Sequence, residues 1–458
     1  MAGKIRSCVF ASYLILGFCV FNSAAGQVTE IRGKTMGTTY LVKFASTSSD
    51  SAAAKDSASV QDQITKAIEK RLDEINQSMS TYIADSEISR FNRLESTDPF
   101  AVSPDFLKVS AKALQLHNLT GGRFDVTVGP LVRFWGFGGG ETPKAIPQKD
   151  QIQKVLQNVG SSKLAIAKSS ITKSVPSLEV DFSAIAKGFA VDEVGAIVAR
   201  YSENYMVEIG GEVRTAGVNP ESQQSWAIGV ELPTLDPLSS NPLATNRELA
   251  ARIELADKAL ATSGDYRNFV VIEDKRFQHT IDPTSGFPVD QGILSVSVVA
   301  DDCMTADGLA TGMMVLPLDE IKKLSESEKL GVFVIYKDDQ GNLGWWNSEQ
   351  FRGEVLIGTE GNSVATSNSS KSDEKKAANE TNPIYLVIGT VVVFGLAISG
   401  MAIGVIMSNR ELKGSCGGLS AMNENGSGDA SPCSLCTKPA SECSKRSGQE
   451  ATESAAAE

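Results

Sequence analysis

Apolar residues recur at helical spacing at Ile64, Ile68, Leu72, Ile75 and Met79, which predicts an amphipathic helix with one buried face. A second helix is predicted to begin at Ser103-Pro104, where an N-cap residue precedes proline at the first helical position. It runs to about His117, which reads as a helix-face residue near a C-terminus rather than as a catalyst. The second half alternates. Short β-like runs occur at Tyr205–Ile209, 226–231, 252–255, 269–272, 294–299 and 331–336. Helical patterns lie at 184–201 and 305–314, and 317–323 adds a short one. The Ser/Ala-rich stretch 46–59 and the Pro-rich stretch 232–246 read as loops. Mixed strands and helices without an internal repeat predict an α+β body over residues 27–358.

The ends differ from the body. Lys4 and Arg6, an apolar stretch from Val9 to Phe21 and the small residues Ser23-Ala24-Ala25-Gly26 form a secretory signal pattern over residues 1–26. Retention as an N-terminal anchor is the alternative. Residues 359–382 read as a solvated linker. Residues 384–407 carry no charge, and at about 1.5 Å per residue they are long enough to cross roughly 30 Å of hydrocarbon. Gly389, Gly395, Gly400 and Gly404 suit close packing there, and Arg410 and Lys413 follow directly. The positive-inside rule then makes residues 408–458 cytoplasmic and the exported body periplasmic, with one crossing of a bacterial inner membrane between them.

Composition narrows the chemistry. A net charge of −12 over 458 residues argues against a nucleic-acid partner. Two histidines leave little room for a His-rich zinc site, so any metal in the body is expected to be hard and oxygen-ligated, such as Mg2+. Cys303 is alone in the body, which excludes a disulfide framework. Cys416, Cys433, Cys436 and Cys443 all lie in the tail, and Cys433 and Cys436 form a C-x-x-C pair. They suggest iron or an iron–sulfur cluster; incidental thiols in a disordered tail are the alternative.

The richest segment for chemistry is His279-Thr280-Ile281-Asp282-Pro283-Thr284-Ser285-Gly286-Phe287-Pro288, whose prolines and glycine predict a rigid, shaped loop. Five others accompany it: 79–82 leading into 85–92, 121–130 leading into 134–138, Asp181-Phe182-Ser183-Ala184-Ile185-Ala186-Lys187-Gly188, 262–267, and Thr305-Ala306-Asp307-Gly308-Leu309-Ala310-Thr311. Asp307 and Thr311 stand at i and i+4, so on a helix they share a face and can hold a hard cation; a carboxylate that only favours the helix dipole is the alternative. Lys187, just after a turn, can meet a phosphate or simply be solvated. Tyr82, Phe124 and Trp135 can stack on a flat ring or fill a core.

Taken in order, with Gly33-Lys34-Thr35-Met36-Gly37-Thr38 and Gly210-Gly211-Glu212, these segments resemble the ApbE family of FAD:protein FMN transferases across most of residues 30–345. The resemblance implies an ApbE-like (T-fold-like) α+β domain, FAD as substrate, Mg2+, and attachment of FMN to a Thr or Ser of a target protein with release of AMP. It implies FAD contacts at Met36, Tyr82, Arg123, Phe124, Asp125, Asp181, Lys187 and Ile281. It implies metal ligation by Asp307 and Thr311 and by the backbones of Ala184 and Ala310, and catalytic roles for His279 and Asp307. Arg123 stands where a small residue is common. Water in place of the hydroxyl would make the same site an FAD pyrophosphatase, and a non-catalytic flavin-binding membrane protein is a further alternative. The tail, with Lys413-Gly414-Ser415-Cys416-Gly417-Gly418-Leu419 and the later cysteines, resembles the small maturation proteins (NqrM) of the sodium-translocating NADH:quinone reductase. That resemblance implies acceptor subunits in that reductase or a related electron-transport complex.

Overall fold

Eight strands run antiparallel in the order in which the chain makes them. In the computed structural model, which describes residues 28–45, 53–233, 248–264 and 269–357, they are β1 (Val28–Thr35), β2 (Thr38–Ala45), β3 (Tyr205–Ile209), β4 (Glu212–Ala216), β5 (Ala259–Gly264), β6 (Ile293–Ala300), β7 (Gly331–Lys337) and β8 (Leu343–Asn347). Two tight turns sit at one end of this sheet. Met36 and Gly37 join β1 to β2 with φ of 49° and 73°, and Gly210 and Gly211 join β3 to β4 with φ of 60° and 103°. Positive φ at both central residues is what a type I′ two-residue hairpin loop requires. The Gly210 N–H donates to the Thr39 carbonyl at 3.1 Å, so the turns are neighbours.

Helices cover one face. They are α1 (Ala53–Met79), α2 (Glu87–Arg93), α3 (Pro104–Leu119), α4 (Ala186–Val198) and α5 (Cys303–Met313). The α4 helix packs on β3 and β4, α5 on β5 and β6, and α1 and α3 lie against α4 and α5. The predicted stripe of α1 is buried throughout: Ile64, Ile68 and Ile75 are wholly enclosed, and Leu72 and Met79 nearly so. Ser103 caps α3 by accepting from the Phe106 N–H at 3.3 Å, as its sequence anticipates.

The other face of β5, β6 and β7 is covered by a three-stranded sheet, Trp226–Glu231, Leu249–Leu255 and Gly353–Val355, through Val230, Ile253, Leu260, Leu294 and Phe333. With both faces buried, β6 is enclosed along nearly its whole length. A smaller core of Leu131, Trp135, Ile152, Val159, Ile272 and Ile281 supports the hairpin Phe269–Ile272/Lys275–Gln278 and the loop after it.

The α+β class stands as predicted. One boundary is corrected: the stretch 46–59 is not all loop, because Ala53-Ala54-Lys55 are strong helix formers and α1 already begins at Ala53. Among the described residues no helix is long and apolar enough to cross a membrane. The predicted signal (1–26), linker (359–382), membrane span (384–407) and Cys-rich tail (408–458) lie outside them, as do residues 234–247 of the Pro-rich loop.

Candidate functional site

Three elements converge on one cluster of charge. Lys187 in the first turn of α4 pairs with Glu212, the first residue of β4, and its Nζ is 3.9 Å from Asp307 Oδ1 on α5. The Gly188 N–H donates to Asp307 Oδ2 at 2.9 Å. Both carboxylates are buried, with 4 % of each side chain exposed against 28 % for Lys187. Burial and the neighbouring Asp307 charge push the Glu212 carboxyl up to about 8. Burial opposes the Lys187 charge, but Asp307 and Glu212 outweigh it and hold the ammonium above its ordinary range. Glu212 Oε2 is enclosed and has no hydrogen-bond partner among the described residues.

Hydroxyls extend the cluster. Thr311, one turn beyond Asp307, has its Oγ1 3.1 Å from Ser263 Oγ on β5; the Thr262–Ser297 hydroxyl pair at 2.8 Å belongs to the opposite face of the sheet, with Leu260. Ala310 is buried and its carbonyl accepts from the Met314 N–H at 3.2 Å; Ala184 is half-buried in the turn before α4. Among the described residues no three His, Cys, Asp or Glu side chains group as a metal site. The oxygens available around Asp307 are carboxylate, hydroxyl and carbonyl, a donor set suited to a hard cation, and the unpartnered Glu212 oxygen lies in the same cluster.

The His279 loop is held by a set of hydrogen bonds. Asp282 Oδ1 accepts from the Thr284 N–H at 2.8 Å and its Oγ1 at 2.7 Å. Arg123 Nη1 donates to Asp282 Oδ2 at 2.9 Å, and Trp135 Nε1 donates to the Gly286 carbonyl at 2.9 Å. Ile281 is buried in the small core, and the His279 ring meets Phe137 edge-on with centroids 6.3 Å apart.

Other predicted residues fall in three places. Tyr82, 91 % exposed, and Asp181 line a cavity of about 500 Å³ together with Thr81, Asn92, Arg133 and Ser183. The Asp181 N–H donates to the Val126 carbonyl at 2.7 Å, and its carboxylate accepts from the Ser183 N–H at 2.9 Å. Asp125 is buried and accepts from Thr127, from the Ser161 N–H at 2.8 Å and Oγ at 2.7 Å, and from His117 at 3.3 Å. Burial works against this carboxylate, yet those donors hold it below the usual range. Phe124 packs over Gly308 and Gly312 of α5. Met36 occupies the first hairpin turn, half-buried against the core. Lys187, Asp307 and Thr311 are therefore brought together, whereas Phe124 is built into the wall behind α5 and Asp125 is taken up by Thr127, Ser161 and His117. Glu212 and Ser263 have no role in the sequence reading, although both lie in segments singled out there.

The sequence profile of the ApbE family matches residues 36–335. The chain belongs to the ApbE family. Similar proteins include the FAD:protein FMN transferase of Vibrio cholerae, 41 % identical over 332 residues, 72 % of this chain and 93 % of that protein. That of Haemophilus influenzae is 40 % identical over 321 residues, 69 % and 88 % of the two chains. Among solved structures, the flavin transferase ApbE from Vibrio cholerae aligns with a TM-score of 0.60 at 38 % identity, covering 71 % of this chain and 98 % of that one. The Pseudomonas stutzeri flavinyl transferase ApbE in its apo form aligns at 0.61 and 30 %, covering 71 % and 96 %. Residues 405–456 match a second family, described as (Na+)-NQR maturation NqrM, and lie outside the described residues.

Proposed function

We propose that the chain moves FMN from FAD to a Thr or Ser hydroxyl of a target protein and releases AMP. The observation that carries this reading is the buried Lys187–Glu212–Asp307 cluster beside the Thr311 and Ser263 hydroxyls, in a member of a family whose relatives are flavin transferases. The hydroxyl oxygen of the acceptor attacks the FMN phosphorus and the bond to AMP breaks, an exchange that depends mainly on positioning and charge compensation. Lys187, kept charged by its two carboxylates, stabilises a phosphate oxygen. His279, on its anchored loop, positions the phosphates or accepts the hydroxyl proton. Tyr82 and Asp181 face the FAD from the cavity, Met36, Arg123 and Ile281 shape the turn and loop around it, Phe124 supports α5 from behind, and Asp125 holds the 121–130 segment through Thr127 and Ser161.

The residues around Asp307 fit Mg2+. Asp307 and Thr311 would hold it with the Ala184 and Ala310 carbonyls, and the ion would supply charge neutralisation at the pyrophosphate.

The NqrM-like tail directs the reading of place and partner. The body acts in the periplasm of a bacterial inner membrane, anchored by residues 384–407. Its acceptors belong to a sodium-translocating NADH:quinone reductase or a related complex. Cys416, Cys433, Cys436 and Cys443 serve iron or cluster supply on the cytoplasmic side; Cys-to-Ser variants that leave reductase assembly intact would remove that part. The transfer itself is tested by separating products after incubation with FAD, Mg2+ and an acceptor fragment. AMP release in step with flavin on the fragment supports it, whereas free FMN and AMP with a bare fragment identify an FAD pyrophosphatase.

A further inference from the structure

Asp192 stands one turn beyond Gly188 on α4, on the side that meets α5. Its Oδ1 accepts from the Cys303 N–H at 2.9 Å and from Arg214 Nη1 at 2.5 Å, and its Oδ2 accepts from the Met304 N–H at 2.9 Å. The next two amides of α5 are satisfied by Asp302, whose side chain takes the Thr305 N–H at 2.8 Å and whose carbonyl takes that of Ala306 at 3.2 Å. The first four N–H groups of a helix have no partner within it. Here Cys303, Met304 and Thr305 are met by side chains, two of them by a carboxylate from a different helix, and the Ala306 amide opens the regular ladder.

The same three elements hold the candidate site. Strand β4 supplies Glu212 and Arg214, α4 supplies Lys187 and Asp192, and α5 supplies Asp307 and its own N-terminal amides. Two rungs therefore cross the three elements: Glu212–Lys187–Asp307 in the site, and Arg214–Asp192–α5 amides a helical turn away. Burial raises the Asp192 carboxyl above its ordinary range, so the fold keeps an ionisable group where an apolar contact would avoid the desolvation cost.

We propose that Asp192 is a positioning residue for the transfer reaction: by joining Arg214 to the first two amides of α5, it fixes the rotation and height of that helix and so the placement of Asp307 and Thr311 against Lys187. This rests on the reading of that cluster as the metal and phosphate site. An outer partner of a ligand set typically changes metal affinity or activity by about 10–100-fold when lost, and a shift of about 1 Å costs a comparable factor in rate.

The test uses the full-length chain and its Asp192→Asn variant, with Glu193→Gln as the control. Glu193 neighbours Asp192 but faces Arg71 and Lys108, away from α5. Mn2+ binding is followed by electron paramagnetic resonance with FAD present, alongside the melting temperature and the separate kcat and KM for FAD. Asp192→Asn is expected to weaken Mn2+ binding about 10-fold or more and to lower kcat, with KM for FAD little changed. Glu193→Gln is expected to lower the melting temperature without moving Mn2+ affinity. A folded Asp192→Asn variant with wild-type Mn2+ affinity and kcat overturns the proposal. Should that variant fail to fold, Arg214→Lys, which loosens the other end of the bridge, decides on the same two readouts. If the unaltered chain itself fails to bind Mn2+, the site reading fails and takes the proposal with it, a result distinct from a change confined to Asp192→Asn.

Discussion

The amide of Gly188 and the carboxylate of Asp307 are joined at 2.9 Å across the α4–α5 contact, and no side chain fits between them. A Cβ at position 188 would strike the Cys303 carbonyl and come within 2.8 Å of Asp307 Cβ. Alanine usually stabilises a helix interior over glycine by about 1 kcal/mol. Here the order is expected to reverse. Gly188→Ala should lose about 1–3 kcal/mol by overpacking and should cut transfer at least as severely, because the helix it displaces carries Asp307. Denaturant unfolding and initial rates on one preparation check both.

Glu212 makes stability depend on pH in a defined direction. Its carboxyl titrates near 4.5 when unfolded and at about 8 in the fold. Between these values the folded chain holds a proton that the unfolded chain has released, so stability falls as pH rises through that window. In metal-free protein, Glu212→Gln should remove this loss. The variant should therefore gain on the parent steadily from pH 5 to pH 8 in thermal unfolding. Parallel curves for the two proteins would contradict the assignment.

Arg123 ties the 121–130 segment to the His279 loop through Asp282 at 2.9 Å. Both side chains are partly exposed, so the pair adds no more than about 1 kcal/mol to stability. Its larger effect is on the loop. Arg123→Ala should leave the melting temperature nearly unchanged while raising KM for FAD by about 10-fold, and should increase cleavage within 279–288 under limited proteolysis. A large drop in melting temperature with unaltered KM would make the arginine structural.

Much of this was legible in the sequence, and the failures have physical causes. The α1 stripe, the Ser103-Pro104 start of α3 and the strand Tyr205–Ile209 follow from periodicity and capping, since one face of each is buried. Strand β5 was missed because Ala259–Gly264, apart from Leu260, is a run of small residues without alternation, held in place by the long partner β6 rather than by its own propensity. The hairpin of β1 and β2 was missed because its strands are mixed in polarity, although Met36-Gly37 is a turn signal. The shared face of Asp307 and Thr311 follows from their spacing. The roles of Glu212 and Asp192 do not, because both depend on β4, α4 and α5 meeting in space.

The most direct test is the intact mass of an acceptor. A fragment of a reductase subunit containing its acceptor threonine is incubated with the full-length chain, FAD and Mg2+, and again with the Asp307→Ala variant. A mass gain of one FMN on the fragment, absent with Asp307→Ala, is the predicted result. An unmodified fragment beside accumulating free FMN would contradict the transfer, and an equal gain with both proteins would contradict the part assigned to Asp307.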